Sequence, residues 1–193
     1  MNLPNKLTLL RVVLIPVFVA VVFITAIPYR FLIAAALFAL ASLTDMLDGK
    51  IARKRGLVTD FGKLLDPLAD KIFVTAALLC IICITEQPVW RMALTVAAII
   101  IVGREFFVTS LRLLVAGSGV VVPAAFMGKV KTTLQMVAII CILIETQFAC
   151  ELRSVICFEH WVGYIALGAA VVATVVSGVQ YGVAYGSYLD PKK

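Results

Sequence analysis

The sequence predicts an all-α integral membrane protein with six transmembrane helices, both termini in the cytoplasm and a polar site at the cytoplasmic membrane interface. Three observations lead there. Of 193 residues, 63% are hydrophobic and 15% charged, far more apolar than a soluble domain. The apolar residues form six runs, each near the ~20 residues that a bilayer requires. The basic residues collect on alternate connections between those runs. A single membrane-embedded domain over residues 1–193 is expected.

The runs are Leu9–Pro28, Phe31–Leu47, Ile72–Thr85, Val89–Leu114, Thr132–Phe148 and Trp161–Tyr185. The first has the length of a span and no small-residue cleavage site at its end, so it reads as a retained span rather than a signal peptide. Pro16 is expected to kink it. The second and third are short, and both are expected to continue as helix toward the loop around Gly56. With both termini on one side, that side holds Lys6, Arg11, Lys50, Arg53, Lys54, Arg55, Lys63, Lys71, Arg104, Arg112, Lys129, Lys131, Lys192 and Lys193. The other side holds only Arg30, Arg91 and Arg153, which is 14 against 3. The positive-inside rule makes the richer side cytoplasmic. A net charge of +6 is therefore membrane topology, and no nucleic-acid partner is expected.

Four aspartates lie at the adjoining ends of the second and third runs. Asp45 and Asp48 are three apart, and Asp66 and Asp70 four apart, so on helices each pair projects from one face. An antiparallel hairpin brings the pairs into one small volume at the membrane edge, where water screens poorly. Asp66, before Pro67, also reads as a helix cap. Asp45 and Asp48 do not, because they end an apolar run where the helix dipole disfavours anions. Two divalent cations balance four carboxylates charge for charge. An all-oxygen donor set without His or Cys selects Mg²⁺ or Mn²⁺ over zinc. Two such ions held by carboxylates clamp the attacking and leaving oxygens of a phosphoryl displacement.

The fourth run adds cations. Arg104 lies 14 residues from Trp90, about 21 Å along a helix, and Arg112 about 33 Å. Arg104 is thus inside the cytoplasmic leaflet, where a guanidinium marks a site unless it pairs with Glu105 or snorkels. Lys129 and Lys131 come to the same level after the Gly117-Ser-Gly119 loop. Arg104, Arg112, Lys129 and Lys131 form a candidate cradle for a phosphate dianion; the alternative is ordinary positive-inside charge. Gly178, Gly182 and Gly186 form a ridge for close helix approach, serving either packing within the chain or dimerisation, and a homodimer is expected. Tyr181, Tyr185 and Tyr188 fit an interfacial aromatic belt. Cys80 and Cys83 read as small buried hydrophobes, and His160 as an interfacial residue. Cys150 and Cys157 fall in an external loop where a disulfide is permitted.

The full pattern is Asp45-x-x-Asp48-Gly49-x-x-Ala52-Arg53, eight residues, Gly62, three residues, Asp66, three residues, Asp70. It resembles the signature of the CDP-alcohol phosphotransferases, bacterial members of which are multi-pass plasma-membrane enzymes of phospholipid synthesis with the active site facing the cytoplasm. The resemblance implies that CDP-diacylglycerol is the donor and that Asp45, Asp48, Asp66 and Asp70 hold two Mg²⁺ or Mn²⁺. It also implies that Asp70 is the catalytic base, and that Asn5, Gly49, Arg53, Thr59 and Gly62 contact the CDP moiety. Pro4-Asn5-x-x-Thr8-x-x-Arg11-Val-Val-Leu-Ile-Pro16, Gly103-Arg104-Glu105-Phe106 through Arg112, and Gly128-Lys-Val-Lys-Thr-Thr-x-Gln135 resemble the members whose acceptor is sn-glycerol 3-phosphate. That acceptor needs the basic cradle of Arg104, Arg112, Lys129 and Lys131. Serine, as acceptor, would leave the cradle unexplained; inositol phosphate would fit it, and only the wider match disfavours it. Phosphatidylglycerol is a further possible acceptor. A divalent-cation transporter would carry acidic residues across the membrane, and here they stop at one face.

Overall fold

Six helices, and no other regular element among the described residues, make up the chain: α1 Leu3–Phe23, α2 Arg30–Arg55, α3 Asp60–Ile84, α4 Pro88–Gly117, α5 Phe126–Glu151 and α6 Trp161–Tyr185. The computed structural model describes the backbone of residues 3–55, 60–117, 126–151 and 161–186, and the side chains of 9–44, 68–116, 126–149 and 161–186. Among the described residues, three helices are long and apolar enough to cross a bilayer, over Pro88–Ala116, Phe126–Ala149 and Trp161–Tyr185, and shorter apolar stretches cover Leu9–Phe23 and Arg30–Thr44. Large apolar side chains face outward, among them Ile99, Leu113, Val172 and Val183, as on a protein solvated by lipid rather than water.

The helices close into two quadrilaterals that share an edge. α1, α2, α5 and α3 form one; α3, α4, α6 and α5 form the other, with α3 packed on α5 between them. In the first, three rings meet at the centre. Phe18 stands edge-on to Phe73 with centroids 5.4 Å apart, Phe38 lies 5.1 Å from Phe73, and Phe18 lies 6.1 Å from Phe38. All three are at most 2% exposed. Rings of this size dominate the burial energy of a small core, so this contact fixes how α1, α2 and α3 stand relative to one another.

Helix ends are secured by distant side chains. The Gln147 Oε1 of α5 accepts from the backbone N of Phe31 at 3.1 Å, at the start of α2. The carboxylate of Glu145 accepts from the N–H groups of Val162 and Gly163, both at 3.1 Å. An anion at the N-terminus of α6 satisfies two orphan donors and suits the helix dipole. Gly163 is required there, because a Cβ would lie 2.9 Å from the backbone N of Ile142. At the C-terminus of α3, the Arg91 guanidinium donates to the Thr85 carbonyl at 2.7 Å and 2.9 Å. Pro88 then occupies the first turn of α4, where its missing N–H leaves no bond unmade.

α2 continues through Asp45 and Asp48 to Arg55, and α3 begins at Asp60. The reading of Asp66 as a helix cap is thereby corrected: Asp66 and Pro67 lie inside α3, six and seven residues past its start. An interior proline forgoes one ladder bond, which a helix anchored by Phe73, Ala77 and Ile81 in the core can sustain. α1 runs as one helix through Pro16.

Candidate active site

The Phe38–Phe73 contact sets the register of the acidic stretch. α2 and α3 run in opposite senses from it toward their connection at residues 56–59. Asp45 lies seven residues beyond Phe38, and Asp66 seven residues before Phe73, each about 10 Å along its helix. Asp70 and Asp48 lie three and ten residues from the same contact. The two pairs thus occupy adjoining levels, meeting at Asp45 and Asp66, on two helices tied together below them. Of the quartet, Asp70 has a described side chain. Those of Asp45, Asp48 and Asp66 lie outside the described residues, as do those of Asn5, Arg53, Cys150 and Cys157, the surroundings of Gly49 and Gly62, and Thr59 entirely.

Asp70 faces a cleft on the shared edge of the two quadrilaterals. Asp70 and Lys71 of α3, Glu105 of α4, and Lys131, Thr132 and Gln135 of α5 line it, around a cavity of about 30 Å³. So many ionic groups between helices are costly unless paired. Lys131, 4% exposed, is ion-paired with Glu105. The Arg104 guanidinium reaches the same carboxylate at 3.6 Å. The Lys71 ammonium donates to Thr109 Oγ1 on α4. One carboxylate therefore serves two cations, and this end of the cleft keeps a positive excess.

Arg104 and Arg112 both turn toward α6. Arg104 donates to Ser177 Oγ and Arg112 to the Tyr181 hydroxyl. The Tyr181 ring lies 5.0 Å from the Arg112 guanidinium carbon and 5.7 Å from that of Arg104, within cation–π range of both. Of the glycine ridge, Gly178 serves packing within the chain. A Cβ on Gly178 would lie 3.3 Å from Arg104 Cγ and one on Gly182 4.0 Å from the Phe107 ring, while Gly186 meets nothing.

Three further sequence expectations change. Cys83, read with Cys80 as a buried hydrophobe, is exposed, and Cys80 alone is buried. Tyr181 is no belt residue: it is 3% exposed and bonded to Arg112, because Gly178 lets α6 lie against α4. Lys129 is not brought into the cleft. It is exposed, since residues two apart on a helix point to different sides and Lys131 takes the inward one. The structure thus brings Asp70, Arg104 and Lys131 to one region, with Arg112 two turns farther along α4. Lys71, Glu105, Ser177 and Tyr181 join them without having been singled out as ligands. Their signal was polar character inside apolar runs.

A family model described as CDP-alcohol phosphatidyltransferase matches residues 1–176. The chain is similar to the CDP-diacylglycerol–glycerol-3-phosphate 3-phosphatidyltransferase of Bacillus subtilis (strain 168), with 43% identity over 191 residues and 93% of each chain covered. The protein of the same name in Rickettsia bellii is 37% identical over 180 residues, again with 93% of each covered. A probable phosphatidylglycerophosphate synthase of Mycobacterium tuberculosis is 37% identical over 182 residues, covering 93% of this chain and 79% of that one.

Proposed function

This chain belongs to the CDP-alcohol phosphatidyltransferase family, and we propose that it transfers the phosphatidyl group of CDP-diacylglycerol to sn-glycerol 3-phosphate. The products are phosphatidylglycerophosphate and CMP. The observation that carries the acceptor is the buried cation set of Lys131 and Arg104 around one carboxylate, next to Asp70. The relatives' names supply the two substrates.

The residues present suit a pair of hard divalent ions. Asp45, Asp48, Asp66 and Asp70 are all oxygen donors at adjoining levels, and the described one opens onto a polar cleft. These four carboxylates would hold two Mg²⁺ or Mn²⁺, which when bound supply charge neutralisation at the donor's diphosphate. Asn5, Gly49, Arg53, Thr59 and Gly62 would hold the CDP moiety. Arg104, Arg112 and Lys131 would take the acceptor's phosphate, with exposed Lys129 drawing anions toward that end. Helices α3 and α5 divide the two halves. The aspartates of α2 belong to one quadrilateral, the arginines of α4 to the other, and Asp70 of α3 stands, with Lys131 of α5, on the edge they share. There it accepts the proton of the acceptor's hydroxyl as that oxygen bonds to the lipid-bearing phosphorus. The bond from that phosphorus to the bridging oxygen breaks, and CMP departs with the oxygen. A carboxylate is a weak base at neutral pH, so positioning and charge share the acceleration.

The site in this reading opens to the cytoplasm at the plasma membrane. Six spans with both termini inside are supported by the charge ratio of 14 to 3 and by the lipid-facing apolar surface. A homodimer is part of the same proposal; with Gly178 packed against Arg104, its interface would not centre on that residue.

The test is a transfer assay with purified protein, radiolabelled glycerol 3-phosphate, CDP-diacylglycerol and Mg²⁺. Label is expected in the organic phase only when CDP-diacylglycerol is present, and at most about a hundredth as much from labelled serine. Transfer without the nucleotide lipid, or equal transfer from serine, would overturn the assignment.

A further inference from the structure

The two arginines at the acceptor end have an unusual choice of partners. Arg112 is held by a phenol and Arg104 by a serine hydroxyl, and one aromatic ring lies against both. Arg104 also reaches the Glu105 carboxylate at 3.6 Å, but that carboxylate is shared with Lys131. Ion pairs built to fasten helices use carboxylates, which cancel the charge they hold. Neutral acceptors and a ring face orient a guanidinium while leaving its charge for a ligand, wholly for Arg112 and in part for Arg104. Ser177 and Tyr181 are 0% and 3% exposed, one turn apart on α6. Ser177 is followed by Gly178, where a Cβ would come within 3.3 Å of Arg104 Cγ, so this glycine lets α6 approach α4 closely. The Arg104 Nε has no hydrogen-bond partner among the described residues, so this guanidinium keeps capacity to donate.

From this we infer that Ser177 and Tyr181 are positioning residues that hold Arg104 and Arg112 ready for the phosphate of the acceptor, and that the strip on α6 sets the preference for a phosphorylated acceptor. The inference rests on the reading of glycerol 3-phosphate as acceptor. In that reading the residues assigned to the donor belong to α1, α2, α3 and the α2–α3 connection, so the strip on α6 should leave donor binding unchanged.

Tyr181→Phe keeps the ring and removes the hydroxyl; Ser177→Ala removes the other acceptor. With each substrate varied in turn, KM for glycerol 3-phosphate is expected to rise about tenfold in Tyr181→Phe and about fivefold in Ser177→Ala. KM for CDP-diacylglycerol is expected to stay within about twofold in both. KM does not depend on the fraction of active protein, so partial misfolding does not imitate the result. Val183→Ala, at a position 82% exposed on the same helix, should match the wild type in both constants. Parallel rises in the two KM values, no rise in either, or the same rise in Val183→Ala would overturn the positioning role while the wild-type activity stands. A wild type that does not use glycerol 3-phosphate at all would overturn the acceptor assignment and this inference with it.

Discussion

Asp70→Asn is expected to lower kcat by about 10³-fold or more while the purified protein keeps the size-exclusion profile and thermal unfolding of the wild type. The substitution is isosteric, so the cleft between α3, α4 and α5 keeps its shape. What it removes is a negative charge and a proton acceptor from a cleft also lined by Lys71, Glu105 and Lys131. General-base contributions are about 10²–10⁴ in rate, and a lost carboxylate ligand adds to that. Folding should survive because α3 is anchored deeper, by Phe73, Ala77 and Ile81 in the core. Retention of more than about a tenth of the wild-type kcat would remove Asp70 from the chemistry.

Lys131→Met should act on one substrate. Methionine keeps most of the lysine stem and loses the ammonium at a position 4% exposed. Truncating a buried charged contact to a ligand is worth about 2–5 kcal/mol, so KM for glycerol 3-phosphate is expected to rise about 30-fold or more. KM for CDP-diacylglycerol should change little. The partner left behind is Glu105, and the Arg104 guanidinium 3.6 Å away can take it up. Combining the change with Glu105→Gln therefore tests whether a stranded carboxylate, rather than a missing cation, causes the loss. If the double variant regains the acceptor KM of the wild type, Lys131 is only the counter-charge of Glu105.

Much of this arrangement was legible in the chain. Six apolar runs correspond to six helices, and the continuation of the second and third beyond their apolar parts follows from the two aspartate pairs, at helical spacing on their ends. Reading Asp66 before Pro67 as a helix start followed a local preference, which the longer α3 overrides. Azimuth was harder to read than depth. Arg104, Arg112, Lys129 and Lys131 stand toward the same end, as counting residues along the helices suggests. Their direction around the helix separates Lys129 from Lys131, and the two-residue spacing already contained that fact. Ser177 and Tyr181 were beyond local reading. Their partners are 73 and 69 residues away, and no periodicity within α6 names the helix it will meet. A tyrosine near the end of a span looks the same in sequence whether it faces headgroups or a buried arginine.

The acidic quartet is best probed by counting ions. Mn²⁺ titrated into metal-free purified protein with CDP-diacylglycerol, followed by electron paramagnetic resonance of the free ion, should show about two bound per chain and clearly fewer after Asp45→Asn or Asp66→Asn. Mn²⁺ that stays free in the wild type, or is bound equally well without those carboxylates, would contradict a metal-binding role for the four aspartates.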